Sequence, residues 1–272
     1  MRLYIVMRGM SFSGSFYPSS RAKLIEFISN SLKNTPNKAQ YKSIIGLIVP
    51  HAGYKYSGLT AVSAYNNLGS NHKKFILIGP CHECLYGSAY LDDDDYWATP
   101  LGDVKVDTDT VKRLSQYDIF KVSNGQHIAE HSIEVQLPLL HYFVKNDFSI
   151  VPIILADQSK ATVADIAKIL KDYIDGAILI ISSDFNHYES SSVTHKKDMD
   201  LIGRIIALDL DGFYDIIEKE NISACGYGGI AILMLITKLL SGRIELIRHD
   251  DSTTGGSSDK FVVGYASMIA FK

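Results

Sequence analysis

The chain has few cysteines and no concentrated positive charge. Among its 272 residues only Cys81, Cys84 and Cys225 are cysteines, and this odd, low number argues against a framework of disulfides. No run of lysine and arginine exceeds two residues, and the net charge is −3. The sequence therefore predicts neither a nucleic-acid footprint nor a basic membrane-binding patch.

Long hydrophobic runs are also missing. No apolar stretch is long enough to span a bilayer, and residues 1–10 lack the pattern of a secretion signal. We therefore expect a cytoplasmic protein. Because no repeat or Pro/Gly/Ser-rich linker divides the chain, we predict a single domain over residues 1–272.

Short β-branched runs alternate with helical patterns along the chain. The runs at residues 44–49, 75–79, 148–155 and 177–182 are predicted to be strands buried on both faces. Helices are predicted at residues 57–68, 162–173, 193–208 and 230–240, the last of them buried all round, and late strands at residues 243–249 and 261–271. This alternation predicts a three-layer α/β/α fold around a largely parallel or mixed sheet.

A further helical pattern, over residues 131–144, contains Pro138. Proline is tolerated in the first turn of a helix but not in its interior. The helix therefore either kinks at Pro138 or begins near Leu137.

Three predicted core strands run directly into loops that contain histidine. The loops are Pro50-His51-Ala52-Gly53-Tyr54, Pro80-Cys81-His82-Glu83-Cys84 and Ser183-Asp184-Phe185-Asn186-His187. If the strands are parallel, these loops meet at one edge of the sheet, where α/β proteins bind ligands. We therefore interpret His51 and His82 as functional. Asp184 and His187 either perform acid–base chemistry or form a local Asx-turn.

The cysteines leave several interpretations open. Cys225 precedes the apolar helix, where the helix dipole favours a thiolate that can bind metal; otherwise it is a small buried residue. Cys81 and Cys84 have the spacing of half a zinc site or a redox dithiol, but such pairs are most often plain loop or core residues. We expect no disulfide between them, since they share a short turn and the expected compartment is reducing.

Two other polar groups are ambiguous. His131, within Glu130-His131-Ser132-Ile133-Glu134, either orients a ligand or substrate or belongs to a capped helix start. Residues 92–95 are four aspartates, which we interpret as a solvated loop, with a divalent-cation site as the minor alternative.

Together the motifs resemble those of the Memo family (mediator of cell motility). They cover nearly the whole chain in the family's order: Gly14-Ser15-Phe16-Tyr17-Pro18, Pro50-His51-Ala52-Gly53-Tyr54-Lys55-Tyr56-Ser57-Gly58, Ile78-Gly79-Pro80-Cys81-His82, Glu130-His131-Ser132-Ile133-Glu134 with Gln136-Leu137-Pro138, Ser182-Ser183-Asp184-Phe185-Asn186-His187-Tyr188, and Cys225-Gly226. The resemblance implies a domain like that of the class III (LigB-type) extradiol dioxygenases, which hold non-haem iron(II) with two histidines and a carboxylate.

Carried over motif by motif, the resemblance implies a site. The metal ligands fall on His51, His82 and Cys225, with the cysteine replacing the carboxylate. His187 matches the catalytic histidine and Asp184 its neighbouring acid. The pocket residues correspond to Phe16, Tyr56 and His131.

Two departures from the family pattern concern this site. The usual Ser-His-His is Cys81-His82-Glu83, and a pocket tryptophan of the animal members is Phe16. The first places an extra soft ligand near the site, and the second weakens the transfer of peptide binding to this chain.

Two functions from different classes follow. The first is a metal-dependent oxidoreductase holding iron(II), or else copper or zinc, which a Cys/His/His set suits better than magnesium or calcium. The second is a non-catalytic pocket for a peptide or an anion, or a scaffold; the resemblance links Memo-like proteins with AMMECR-type and radical-SAM proteins. Metal content distinguishes the two functions.

Overall fold

A computed structural model of the protein describes residues 4–35, 39, 41–69 and 71–272. Within these residues the strands are β1 (Met7–Arg8), β2 (Ile44–Val49), β3 (Lys74–Pro80), β4 (Ala89–Leu91), β5 (Tyr96–Thr99), β6 (Gly102–Val106), β7 (Phe120–Val122), β8 (Ser149–Leu155), β9 (Ala177–Ser182), β10 (His187–Glu189), β11 (Arg243–Asp251) and β12 (Val262–Phe271). They join in one mixed sheet.

The helices of the described residues are α1 (Arg21–Leu32), α2 (Tyr54–Tyr65), α3 (Thr108–Leu114), α4 (Asn124–Ala129), α5 (Leu137–Phe143), α6 (Lys160–Leu170), α7 (Ser191–Ile206), α8 (Leu210–Lys219) and α9 (Tyr227–Leu239). Short 3₁₀ segments lie at Glu134–Gln136 and Ser252–Gly255. Helices α1, α2 and α5 pack together, and α6 to α9 form a second group around α9. The predicted α/β/α architecture is confirmed.

The centre of the sheet has the order β8-β3-β9-β2, and all four strands are parallel. Their side chains are almost entirely buried, which explains why the sequence shows continuous apolar runs instead of alternation. Antiparallel β12 continues the sheet beside β2 and pairs with β11. All four predicted core strands are therefore present, and their carboxyl ends share one edge.

The predicted helices are present with shifted ends. The helix predicted from residue 57 begins at Tyr54, immediately after the His51 loop. Pro138 lies in the first turn of α5, so this helix begins late and does not kink there. Helix α9 is buried on nearly every side, as its apolar composition predicts, because it packs against α6, α7 and α8 as well as the sheet.

The acidic run at residues 92–95 differs from the expectation. Asp92 is fully buried, and its Oδ1 accepts hydrogen bonds from Trp97 Nε1 (3.1 Å) and the Asp94 amide (3.0 Å). Burial is the main cause that raises the pKa of Asp92 to about 6. The interpretation as a solvated loop is wrong at this residue, because Asp92 is buried and hydrogen-bonded to Trp97.

No helix in the described ranges is both long and apolar enough to cross a membrane.

A buried ion pair ties the first strand to the loop that precedes α5. Arg8 Nη1 donates to Glu134 Oε2 at 2.6 Å, and the other guanidinium nitrogens donate to the carbonyls of His127 and Glu130. Both side chains of the pair are 1% exposed. Glu134 also accepts the Tyr17 hydroxyl and the Phe12 amide. This pair therefore fixes the two segments that carry Phe16 and His131.

Removing Arg8 should strongly destabilise the protein. Arg8→Ala leaves the Glu134 carboxylate buried without its cation, a change that costs about 3–5 kcal/mol. Denaturant unfolding measures the free energy. The control is Arg204→Ala, because the Arg204–Asp209 pair is exposed and should contribute little. Equal losses in the two variants would contradict a structural role for the buried pair.

Candidate metal centre

The site lies at the carboxyl ends of the central strands. His51 follows β2, His82 follows β3 and Asp184 follows β9. Parallel pairing aligns Val49 with Ser182 and Pro80 with Leu155, so the loops that follow these positions begin at the same level. Cys225 reaches this edge from the segment that precedes α9.

Three donor residues converge there. The ligand atoms of His51, His82 and Cys225 all lie within 4.8 Å of one another, and His51 Nε2 is 3.1 Å from Cys225 Sγ. His51 is 2% exposed, whereas the His82 side chain is 34% exposed. The structure thus brings together the three residues predicted as ligands, with one open side at His82.

A chain of buried neutral groups orients the His51 ring. Ser182 Oγ directs its single hydrogen to the Ser132 carbonyl (2.7 Å), so it accepts hydrogen bonds from Gln136 Nε2 and His51 Nδ1 at 2.9 Å each. Burial, assisted by His82, lowers the pKa of His51 to about 3. His51 is therefore a neutral ring that carries its proton on Nδ1 and presents the Nε2 lone pair to Cys225.

A buried carboxylate orients His82. Glu130 accepts the His82 amide at 2.7 Å, His82 Nδ1 at 3.0 Å and the Ser132 amide at 2.8 Å. Burial opposes ionisation of Glu130, but these hydrogen bonds hold its pKa at about 2. Burial likewise lowers the pKa of His82, yet the bond and charge of Glu130 raise it overall. Glu130 thus holds the His82 Nδ1 proton and leaves Nε2 for the site.

The Cys225 loop is fastened to two strand ends. Its amide donates to the Asp184 carbonyl (3.2 Å), its Sγ accepts the Asp184 amide (3.2 Å), and its carbonyl accepts Gln158 Nε2 (2.8 Å). A Cβ on Gly226 would lie 2.4 Å from the Ser182 carbonyl, so only glycine lets this loop approach the sheet.

The thiol itself differs from the expectation. Burial and the nearby Asp184 raise the pKa of Cys225 well above its usual value, which favours the thiol over the expected thiolate. Without a cation, Cys225 is a thiol whose hydrogen points to His51 Nε2.

Asp184 and His187 border the three donors in different ways. Asp184 Oδ1 accepts the amides of His51 (2.8 Å) and Ala52 (3.3 Å), and burial raises its pKa. His187 is half-buried; its amide donates to Ser223 Oγ at 2.8 Å, and its Nδ1 lies 3.5 Å from the same oxygen. His187 is not part of the group of convergent donors. The acid–base roles of both residues remain predictions.

An aromatic wall adjoins the histidines. The His131 ring stacks on His82 at 4.8 Å between centroids and meets His51 edge-on at 5.2 Å. Phe16 packs on His131 at 4.6 Å, with Phe12 behind it. Burial and then His51 lower the pKa of His131 to about 4, so this ring is neutral. Of the three predicted pocket residues, His131 therefore borders the donors directly, and Phe16 adjoins them through His131.

Tyr56, the third predicted pocket residue, has different contacts. Its carbonyl accepts Thr254 Oγ1 (3.2 Å), and its ring lies against Gly255, where a Cβ would be 2.2 Å from the ring. The structure therefore shows Tyr56 packed on the 3₁₀ segment Ser252–Gly255, and a substrate-binding role for it stays a prediction.

Comparison with known proteins identifies the family. A family model described as a Memo-like protein matches residues 8–269. This chain belongs to the Memo family. A MEMO1 family protein of Thermoplasma volcanium is 44% identical over 97% of this chain and 98% of its own length. MEMO1 family proteins of Thermoplasma acidophilum and Saccharolobus solfataricus are 41% and 37% identical, over 95% and 93% of this chain and 96% and 95% of their own.

One expectation about this Memo-family chain is wrong. Cys81 and Cys84 form a disulfide. Residues 81–84 fold into a bend that brings the two Cα atoms to 5.5 Å, within the range of bonded cysteines. The short turn favours the bond that it was expected to prevent.

Several residues that support the site were not predicted. Ser182, Gln136 and Gln158 were missed, and Glu130 was noticed without a role. Ser182 is a polar residue at the end of an apolar strand, and Gln158 follows β8, the fourth parallel strand. The rule that identified the histidine loops would also have identified these two positions. This rule does not extend to Gln136, which follows no strand and is marked only by the family motif Gln136-Leu137-Pro138.

Ser182→Ala should destabilise this Memo-family protein by about 1–3 kcal/mol, because Gln136 Nε2 and the Ser132 carbonyl each lose a buried partner. Ser267→Ala is the matched control, since the Ser267 hydroxyl is equally buried but makes no hydrogen bond within the part of the chain that the structure describes. Removal of this hydroxyl should leave the free energy of unfolding unchanged. Chemical unfolding measures both free energies, and equal losses would show that Ser182 does not hold the network.

Proposed function

We propose that this Memo-family protein is a metal-dependent oxidoreductase with a mononuclear site at His51, His82 and Cys225. The observation that carries the proposal is the convergence of the three donor atoms within 4.8 Å. The hydrogen bonds of Ser182 and Glu130 support it, because they engage each Nδ1 and turn each Nε2 toward the site.

The donor set suits a borderline or soft divalent ion. Two imidazoles and one thiolate favour iron(II), copper or zinc over magnesium or calcium. We propose iron(II) as the resident metal, with copper or zinc as the competing ions. Cys225 would bind the cation as a thiolate, releasing to solvent the proton that now points to His51 Nε2, and the positive charge would offset the burial that keeps the group a thiol.

Bound iron with coordination positions left open by three protein ligands would supply one-electron and oxygen chemistry. The protein's own groups would bind the substrate, exchange a proton with it and position the ligands. Phe16 and His131 offer an apolar face to a small substrate beside the donors, with Tyr56 proposed to contact it from α2. His187 Nε2 would exchange a proton with that substrate while Ser223 holds the amide and faces Nδ1. Asp184 keeps the His51 loop in place through two backbone amides.

Metal analysis of protein purified without oxygen tests the proposal directly. We expect one equivalent of iron per chain, and turnover of oxygen or peroxide that is lost in His51→Ala and His82→Ala. His195→Ala is the control, because His195 is an exposed histidine on α7. A wild-type chain that takes up no iron, copper or zinc would contradict the proposal. Phosphopeptide binding by such a metal-free chain would support the binding function instead.

Cys225→Ser should weaken metal binding by at least about tenfold, since a hydroxyl supplies neither the charge nor the softness of a thiolate. Folding should change little, because serine can accept the Asp184 amide and donate to His51 Nε2. Anaerobic iron(II) titration and the denaturant midpoint are measured on the same samples. Unchanged affinity with a lowered midpoint would make Cys225 a core residue.

His187→Ala should leave the metal in place and reduce turnover by about a hundredfold or more, the contribution typical of a general acid–base. Metal content and kcat are the two readouts. Loss of metal as complete as in His51→Ala would show that His187 is a ligand and not a proton carrier.

A further inference from the structure

A disulfide encloses one of the three convergent donors. Cys81 and Cys84 lie on either side of His82 along the chain, so their bond closes a small ring that contains His82 and Glu83. The Cys81 amide donates to the Leu155 carbonyl (2.9 Å), which anchors the start of this ring to β8. The proposed function uses neither sulfur.

The far side of the ring is open to solvent. Leu85 and Tyr86 follow Cys84 directly and are 84% and 79% exposed. Both cysteines are half-buried and pack against the edge of the core, with Cys84 Sγ 3.5 Å from Gln126 Oε1. The loop that carries the disulfide therefore borders solvent on the side from which an external thiol would approach.

His82 is less enclosed than His51, so its position depends more on the loop that carries it. His51 is enclosed by the core, whereas His82 is held by Glu130, by stacking on His131 and by the backbone of residues 81–84. A ring this small constrains the unfolded chain little, so its opening should change the loop far more than the global stability.

We propose that Cys81 and Cys84 form a reversible dithiol–disulfide site whose oxidised state holds His82 in position and whose reduced state releases it. The effect on metal binding rests on the proposed function, but the redox reaction and the movement of His82 do not.

The reaction exchanges two electrons and two protons with an external dithiol. A thiolate of the dithiol attacks one sulfur of the Cys81–Cys84 bond, forming a mixed disulfide and freeing the other cysteine. The second thiol of the reagent then displaces the bound cysteine. Two cysteine thiols form in the protein as the dithiol becomes a disulfide, so atoms and electrons balance.

The first experiment needs no metal. The purified chain is equilibrated in reduced and oxidised dithiothreitol at varied ratios and is then unfolded and alkylated. Intact-mass spectrometry counts the alkylated thiols. We expect a reversible change from one free thiol to three. Hydrogen exchange of the His82 amide, which is bonded to Glu130 in the oxidised protein, should accelerate at least tenfold on reduction.

Cys81→Ser/Cys84→Ser is the matched variant. Its His82 amide should exchange rapidly in every buffer. Equal exchange in the oxidised protein, the reduced protein and this variant would overturn the proposal. So would a disulfide that dithiothreitol opens only when the fold is lost, because it would then be a structural bond.

The second experiment titrates cobalt(II) anaerobically and follows its thiolate charge-transfer band. The double-serine variant should bind at least tenfold more weakly than the oxidised wild type. Stronger cobalt binding by the reduced wild type, with a more intense thiolate band, would mean that Cys81 and Cys84 bind the ion themselves. This result would overturn the proposal that reduction releases His82. If the oxidised wild type binds no cobalt, the proposed function fails, while the exchange experiment still decides the redox proposal.

Discussion

The parallel register of β8, β3, β9 and β2 is the constraint on which the site depends. Because Val49 pairs with Ser182 and Pro80 with Leu155, a shift of one strand by a single residue would turn its side chains to the opposite face. The apolar runs that fix this register contain none of the donor residues. The three candidate donors thus lie outside the strands, and their relative positions are set by a core that supplies none of them.

Ser132 links the supports of the two histidines. Its amide donates to Glu130, which holds His82, and its carbonyl accepts the hydroxyl of Ser182, which holds His51. Its own hydroxyl donates to the Pro80 carbonyl at the end of β3. Both imidazoles are therefore oriented through one buried residue, and the Arg8–Glu134 pair in turn fixes the segment that contains it.

The central strands, the buried α9 and the convergence of the histidine loops could be predicted from the sequence because each leaves a local pattern. Contacts between distant segments leave none. Gln136 supports the His51 loop by donating to the Pro50 carbonyl, 86 residues away, and to Ser182. Asp92 is buried, although the acidic run around it predicts exposure. The protonation state of Cys225 could not be predicted for the same reason. The sequence shows that Cys225 precedes a helix, but not that it is buried beside Asp184.

The difference in enclosure between His51 and His82 has a kinetic consequence. His51 is buried, and the backbone of the Cys225 loop is bonded to Asp184 and Gln158, whereas the His82 side chain is 34% exposed on a short loop. Any bound species that needs all three donor atoms will detach from the most weakly held one first. Its residence time should therefore depend on how firmly the His82 loop is held, and not on the stability of the sheet behind it.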